Sequence, residues 1–324
     1  MLGGLFAAGA VACAPFPPAS DEWLAEEWEL ALEGKDRFGV TMLYPSRPGG
    51  ESWALASEPL EDPRFEPRTV LTRNPDGSWK ARDPELRMQV HTSEGYDAAR
   101  IATYDRDVLA SRGYMQSPAD WHNVEMTGFV KLNAATDMTD NFDWYARGGR
   151  HNDEAGGCEG SSYKAGLHYD GRVRWQKESW HVSYVHTPFR PGVASSLLGR
   201  WVGFKAVMRD VEVGGRTAVL LELYVNDTAD RVTWRKVHDW LDAGDWGGDA
   251  RHCGGAVGGM PITWGGPIAT FRWDNATDVD FKWLSVREIQ PMPGSGVGGE
   301  GLPGFTAGSS MSTRTASRAQ HPPP

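Results

Sequence analysis

Apolar positions along this chain recur two apart far more often than at helical spacing, and Gly, Pro, Asn and Asp fill the breaks between the alternating runs. Over 86–91, Leu86, Met88 and Val90 alternate with Arg87, Gln89 and His91, which predicts a strand with a core face and an open face. The cleanest run is 121–132. There Val124, Met126, Val130 and Leu132 share the core side, and Asn123, Glu125, Thr127, Phe129 and Lys131 share the other. A strand over 141–147 puts Asp143, Tyr145 and Arg147 on one face and Trp144 and Ala146 on the other. Strands are predicted over 162–169, 172–176 and 180–185, the first two joined by the hairpin signal Asp170-Gly171. Others follow over 201–211, 217–225, 233–239, 267–273 and 280–289, and an earlier alternation covers 40–44. Only 21–32 has helical spacing, through Trp23, Leu24, Trp28 and Leu32. About a dozen short strands with so little helix predict an all-β, two-sheet antiparallel sandwich or barrel. The lack of a constant repeat argues against a propeller or solenoid.

The expected organisation is one core domain with flanking segments. Residues 1–20 are apolar, small and then Pro-rich, like a secretory signal without its basic start. Ala10-Val11-Ala12-Cys13 offers a lipoprotein-like acylation point. The apolar run is too short to span a bilayer, so no membrane span is expected. Residues 21–37 read as a linker or short helix, 38–290 as the β domain, and 291–324 as a disordered Gly/Ser/Pro-rich tail that cannot bury enough apolar surface to order itself. The chain is expected to be secreted, with lipid anchoring through Cys13 the other form of export, and to be a monomer.

A formal charge of -10 argues against nucleic acid as a partner, because phosphate binding relies on a basic surface. The count of 15 Trp implies a large core, exposed ring platforms, or both. Setting Cys13 aside, Cys158 and Cys253 remain, an even pair that export would join as a disulfide; two free thiols are the other reading.

Chemistry-bearing residues concentrate between 141 and 185. Arg147 and Arg150 could hold carboxylates, and His151, Tyr163, His168 and Tyr169 could move protons. Tyr145, Lys164 and His181 stand beside them, and His252 lies in a Gly-rich loop that the proposed disulfide would bring to the same rim. By period two Tyr163 and Tyr169 share one face of their strand, and Lys164 and His168 the other. Cations, proton carriers and aromatic planes together suit an anionic sugar polymer. No close pair of zinc ligands repeats. Asp278 and Asp280 are candidate calcium ligands, and otherwise no cofactor is expected.

Two stretches carry a family resemblance. Trp201-Val202-Gly203-Phe204-Lys205, the turn at Gly214-Gly215 and the strand over 219–227 resemble consecutive strands of concanavalin A-like lectins and glucanases. Residues 278–288 resemble their last strand, which returns beside the first. The resemblance implies a jelly-roll sandwich with a glycan groove on one sheet. Retaining glucanases carry two acids on one strand face, whereas Glu125 stands alone between Asn123 and Thr127, so a hydrolase is disfavoured. Tyr163-Lys164-Ala165-Gly166-Leu167-His168-Tyr169 resembles the Tyr/Lys/Ala/Gly/Tyr strand of alginate lyases, and Gln89-Val90-His91 their Gln/Ile/His strand; Asn123, Glu125 and Thr127 stand in place of their Arg/Glu/Arg strand. The implied activity is a polysaccharide lyase acting on a uronate polymer such as alginate or glucuronan. The implied catalytic set is His151, Arg147, Arg150, Tyr163, Tyr169 and His168. Substrate contacts would come from Gln89, His91, Asn123, Glu125, Tyr145, Lys164, His181 and His252. The alternative is a noncatalytic, lectin-like glycan-binding sandwich.

Overall fold

The computed structural model describes residues 30–31, 33–95, 117, 119–148, 161–179, 183–247 and 259–290. Its strands are β1 (Ser52–Ala54), β2 (Phe65–Glu66), β3 (Leu71–Arg73), β4 (Trp79–Ala81), β5 (Glu85–His91), β6 (Val124–Ala135), β7 (Asn141–Gly148) and β8 (Ser161–His168), followed by β9 (Arg172–Ser179), β10 (Ser183–His186), β11 (Arg190–Pro191), β12 (Trp201–Val213), β13 (Arg216–Asn226), β14 (Arg235–Asp242), β15 (Ile268–Asp274) and β16 (Ala276–Glu288). They form two antiparallel sheets of eight strands. A back sheet runs β14-β13-β12-β6-β16-β4-β3 with β1 also on β16, and a second sheet runs β10-β9-β8-β7-β15-β5-β2 with β11 also on β9. The last strand pairs with the first, Ser52 opposite Arg287, as the jelly-roll reading expected.

Alternation builds the core between the sheets. Val124, Met126, Val130 and Leu132 of β6 face inward against Leu86, Met88 and Val90 of β5 and the rings of Trp144, Phe271 and Trp273, all buried. Trp144 crosses the interface, 4.8 Å from Phe204 and 5.1 Å from Phe271 between ring centroids. Gly128 makes room for it: a Cβ there would lie 3.0 Å from the Trp144 ring and 2.4 Å from Leu284. The hairpin at Asp170-Gly171 is present, with Gly171 at φ 95°, a conformation open to glycine at no steric cost.

Two expectations about elements change. Residues 40–44 form no strand, only isolated bridges such as Lys35 with Thr41. This segment lies against the outer face of the back sheet, where the Leu43 N–H donates to the Glu125 carboxylate at 3.0 Å, and the Thr41 and Met42 N–H groups to the carbonyls of Arg231 and Gly34, so its backbone is satisfied without a ladder. The strands β1 to β4 are two or three residues long, too short to leave an alternation. The predicted helix over 21–32 lies almost wholly outside the described residues, as do the segments 1–20 and 291–324. Among the described residues no helix is long and apolar enough to cross a membrane.

Candidate functional site

The outer face of the second sheet carries a groove of about 780 Å³. Strand register arranges its floor in rows. One row runs Arg87 (β5), Arg272 (β15), Asp143 (β7), Gly166 (β8) and Arg174 (β9). The next runs Gln89, Thr270, Tyr145, Lys164, Gln176 and, on β10, His186. Beyond the first row, His168 pairs with Asn141. Each of these residues lines the groove because it alternates with a core residue on its own strand.

The electrostatics of the floor are mixed. Arg272 is paired with Asp274 at 2.5–2.6 Å, Lys164 with Glu178 at 2.6 Å, and Arg87 with Glu85 at 3.2 Å. Arg68 sits between Glu66, at 3.2 Å, and the Gln89 amide, at 3.3 Å. Arg174 is the lining cation with no ion pair among the described residues; its guanidinium lies 4.5 Å from the centre of the partly exposed Phe189 ring. The same ring meets His168 edge-on at 4.8 Å.

His168 is 2 % exposed. Its Nδ1 lies 2.8 Å from the Thr139 carbonyl, which only accepts, so the neutral ring carries its proton on Nδ1 and its lone pair on Nε2. Nε2 has no partner among the described residues. Burial, helped by Arg174 and Arg172, holds the imidazole below its ordinary value, so it is neutral at pH 7. His186 is lowered as well, by burial and then by Arg174, His168 and Lys164. Asp143 is raised to about 6 by burial, which outweighs the opposing pull of Lys164 and Arg272.

Of the residues expected to form the site, Gln89, Tyr145, Lys164 and His168 line the groove. His91 lies at the end of β5, outside the lining, with Nε2 3.6 Å from the Glu66 carboxylate. Arg147 is a correction. Strand β7 bulges at this point, Ala146 and Arg147 together opposing Ala269, and Arg147 adopts φ 68°. The bulge breaks the alternation and turns the guanidinium inward. There it is fully buried and donates to Asp210 (2.7 Å), the Ile262 carbonyl (2.8 Å) and Asn123 (3.1 Å).

Tyr163 is also on the inner side, donating to Asp242 of the back sheet at 2.6 Å and accepting from the Ile262 N–H at 2.8 Å. Burial, with Asp242 beside it, raises the phenol well above its ordinary value. Tyr169 is buried under the sheet end, its hydroxyl directed to the carbonyls of Asp274 (2.7 Å) and Asn141 (3.1 Å). Glu125 lies on β6 of the back sheet and Asn123 just before it, and neither lines the groove. Glu125 is buried on the outer face, gripped by Lys205 (2.7 Å) and Arg287 (2.5 Å). Burial alone would raise its carboxyl, but those two cations hold it below the ordinary value.

Asp278 and Asp280 surround the Lys80 ammonium, 2.7 Å from Asp280, with Asn133 donating to both. Among the described residues no group of three or more His, Cys, Asp or Glu could hold a metal ion. Arg150, His151, His181, His252, Cys158 and Cys253 lie outside the described residues. The sequence reading missed Arg174, Arg272, Asp143 and His186. The Asp170-Gly171 signal marked the hairpin, but a two-residue turn there would set Arg174 opposite Leu167; the connection is three residues, 169–171, with Gly171 at φ 95°, and it places Arg174 opposite Gly166.

The fold and the groove together define a two-sheet antiparallel jelly-roll sandwich with a mixed-charge cleft across one sheet. Solved structures of similar shape include the carbohydrate-binding module CBM66 from Bacillus subtilis, at TM-score 0.38 and 9% identity over 69% of this chain and 96% of that one. A Bacillus subtilis protein of unknown function with a galectin-like fold gives 0.41 and 8%, over 76% and 100%. The alginate lyase vAL-1 from Chlorella virus gives 0.37 and 7%, over 69% and 90%. No protein-family model matches the sequence, and no curated protein matches it.

Proposed function

We propose that the protein is a secreted polysaccharide lyase that cleaves a uronate-containing polymer by β-elimination in the groove of the second sheet. The observation that carries this reading is the nearness of Arg174, a cation with no ion pair among the described residues, to a buried imidazole, His168, whose Nε2 bears a lone pair and no partner among them. β-Elimination asks for these two functions side by side. Arg174 neutralises the uronate carboxylate and so acidifies the C5 proton; His168 Nε2 takes that proton. The electron pair of the C5–H bond becomes the C4=C5 double bond, the C4–O bond breaks, and the leaving oxygen takes a proton. Tyr145, one row away on the groove floor with Lys164 Nζ 5.2 Å from its ring centre, is the proposed donor. Gln89 and Gln176 supply neutral hydrogen bonds to the sugar in the same row.

The test is incubation with alginate, glucuronan and polygalacturonate while following the ultraviolet absorbance of the unsaturated uronate. Wild type should produce it, and His168→Ala should lower turnover per folded molecule about 100-fold to 10,000-fold with affinity unchanged, its melting temperature falling because a buried ring that donates to Thr139 is lost. Arg174→Ala should weaken binding and turnover together, and Arg174→Lys should recover only part, since it offers a point charge in place of a planar fork. Retention of a polyuronate with no new absorbance would mean a noncatalytic glycan-binding sandwich. Full turnover in His168→Ala would remove His168 as the base.

A further inference from the structure

Asp143 stands out within the groove because it forms no ion pair among the described residues. The positive groups beside it are committed elsewhere, Arg272 to Asp274 and Lys164 to Glu178, and Asn141 on its own strand gives it a side-chain hydrogen bond. Arg174, which also has no such pair, lies in the same register row with Gly166 between them. Two strand spacings separate the backbones of Asp143 and Arg174, about 10 Å. Gly166 puts no side chain into that interval: a Cβ there would lie 3.4 Å from the Asp143 carboxylate, the Asn141 amide and the Arg174 carbonyl oxygen. Asp143 and Arg174, neither with an ion pair among the described residues, thus stand on either side of a glycine that adds no side chain between them.

Resting on the reading of the groove as a uronate site, we propose that Asp143 is the second hand of the carboxylate subsite and binds the uronate as its protonated acid. The Asp143 hydroxyl donates to one carboxylate oxygen while Arg174 donates to the other, so binding one uronate takes up one proton. An ionised Asp143 would instead repel the ligand's carboxylate. Lys164 on β8, Arg272 on β15, and Asn141 and Asp140 on its own chain segment act on its carboxyl, and His168, Asp274, Arg174 and Tyr145 also line the groove around it. Burial already raises the free acid, and an added anion raises it further. The sign follows: because the bound-state value exceeds the free-state value of about 6, the added affinity is complete below about pH 6 and is lost as pH rises through the bound-state value.

The experiment measures affinity for tetramers of glucuronate, mannuronate, guluronate and galacturonate between about pH 5 and 8. It is run on His168→Ala to prevent cleavage, with the same tetramers reduced to their neutral sugars as controls. For the acidic tetramer bound best, affinity should fall up to about ten-fold per pH unit above pH 6.5. His168 is absent from this background, and a slope carried by His186, the other groove imidazole, would survive Asp143→Asn. Adding Asp143→Asn, which keeps a donor and cannot ionise, should hold the affinity and flatten the slope; adding Asp143→Ala should lose affinity at every pH. A slope that survives Asp143→Asn overturns the proposal, as does affinity that falls on acidification, the behaviour of an ionised Asp143 gripping sugar hydroxyls. Equal slopes for acidic and neutral tetramers also overturn it. If no acidic tetramer binds at any pH, the uronate reading fails first and takes this proposal with it.

Discussion

Replacing Arg147 with Met should unfold the protein more easily and leave the groove alone. The side chain is fully buried, and three acceptors depend on it: Asp210 at 2.7 Å, the Ile262 carbonyl at 2.8 Å and Asn123 at 3.1 Å. Removing one member of a buried ion pair costs about 3–5 kcal/mol, mostly through the charge left behind. Asp210 is 20 % exposed and keeps His122 Nε2 at 2.9 Å, so the lower end, about 3 kcal/mol, is the better figure. For a domain of this size that is a fall of about 6–12 °C in melting temperature. The pH dependence has a definite sign. Burial would raise the Asp210 carboxyl, but Arg147 and His122 outweigh it and hold it below its ordinary value. The stabilisation is therefore present above about pH 4 and lost as pH falls through the depressed value, so the gap between wild type and variant should narrow toward about pH 3. Thermal melts at several pH values, beside affinity for any polyuronate the wild type binds, measure both effects. Asp210→Asn should also cost less in the Met variant than in wild type, because the two side chains share one interaction. An unchanged melting temperature with lost polyuronate binding would refute the reasoning and return Arg147 to the groove.

Gly128→Ala should destabilise by about 1–3 kcal/mol, read by denaturant midpoint, since its Cβ would meet Leu284 at 2.4 Å and the Trp144 ring at 3.0 Å in a packed core; a neutral result would mean that Trp144 does not cross there. Chelation with EDTA and addition of calcium should both leave the melting temperature unchanged, because Lys80, with Arg82 beside Asp278 and Lys131 beside Asp280, already balances the two carboxylates. Lys80→Ala should lower it at neutral pH by leaving two adjacent carboxylates facing one another.

The fold was legible in the sequence because alternation in a sandwich is enforced by one buried face per strand. The inward set on β6 and the outward set on β5 fall where the period puts them. What alternation cannot reveal is which outward face is open. The polar face of β6 is outward, but residues from the segment before β1 lie over it, Asp36 and Leu43 among them, and Glu125, Lys205 and Arg287 form a buried ionic cluster beneath. Nothing local to 123–127 distinguishes a covered polar face from a cleft. The distinction is made by a segment some 80 residues earlier in the chain.

Arg147 and Arg174 show the same limit from the other direction. Both follow alternating runs, and by period two both point to the groove. A single extra residue in β7 sends Arg147 across the interior to Asp210, whereas β9 runs in register with β8 from Gly171 onward and delivers Arg174 to the floor. The bulge leaves no compositional mark, since it places an arginine, not a glycine, at positive φ. That strained conformation is held by the three hydrogen bonds the guanidinium makes inside the sandwich. One consequence is that the inward arginine joins the two sheets at the sandwich end where Tyr163, Asp242 and Lys177 also meet. The arginine that reaches the groove floor is the one on β9, so Arg174 and His168 come to line it together, on neighbouring strands of one hairpin.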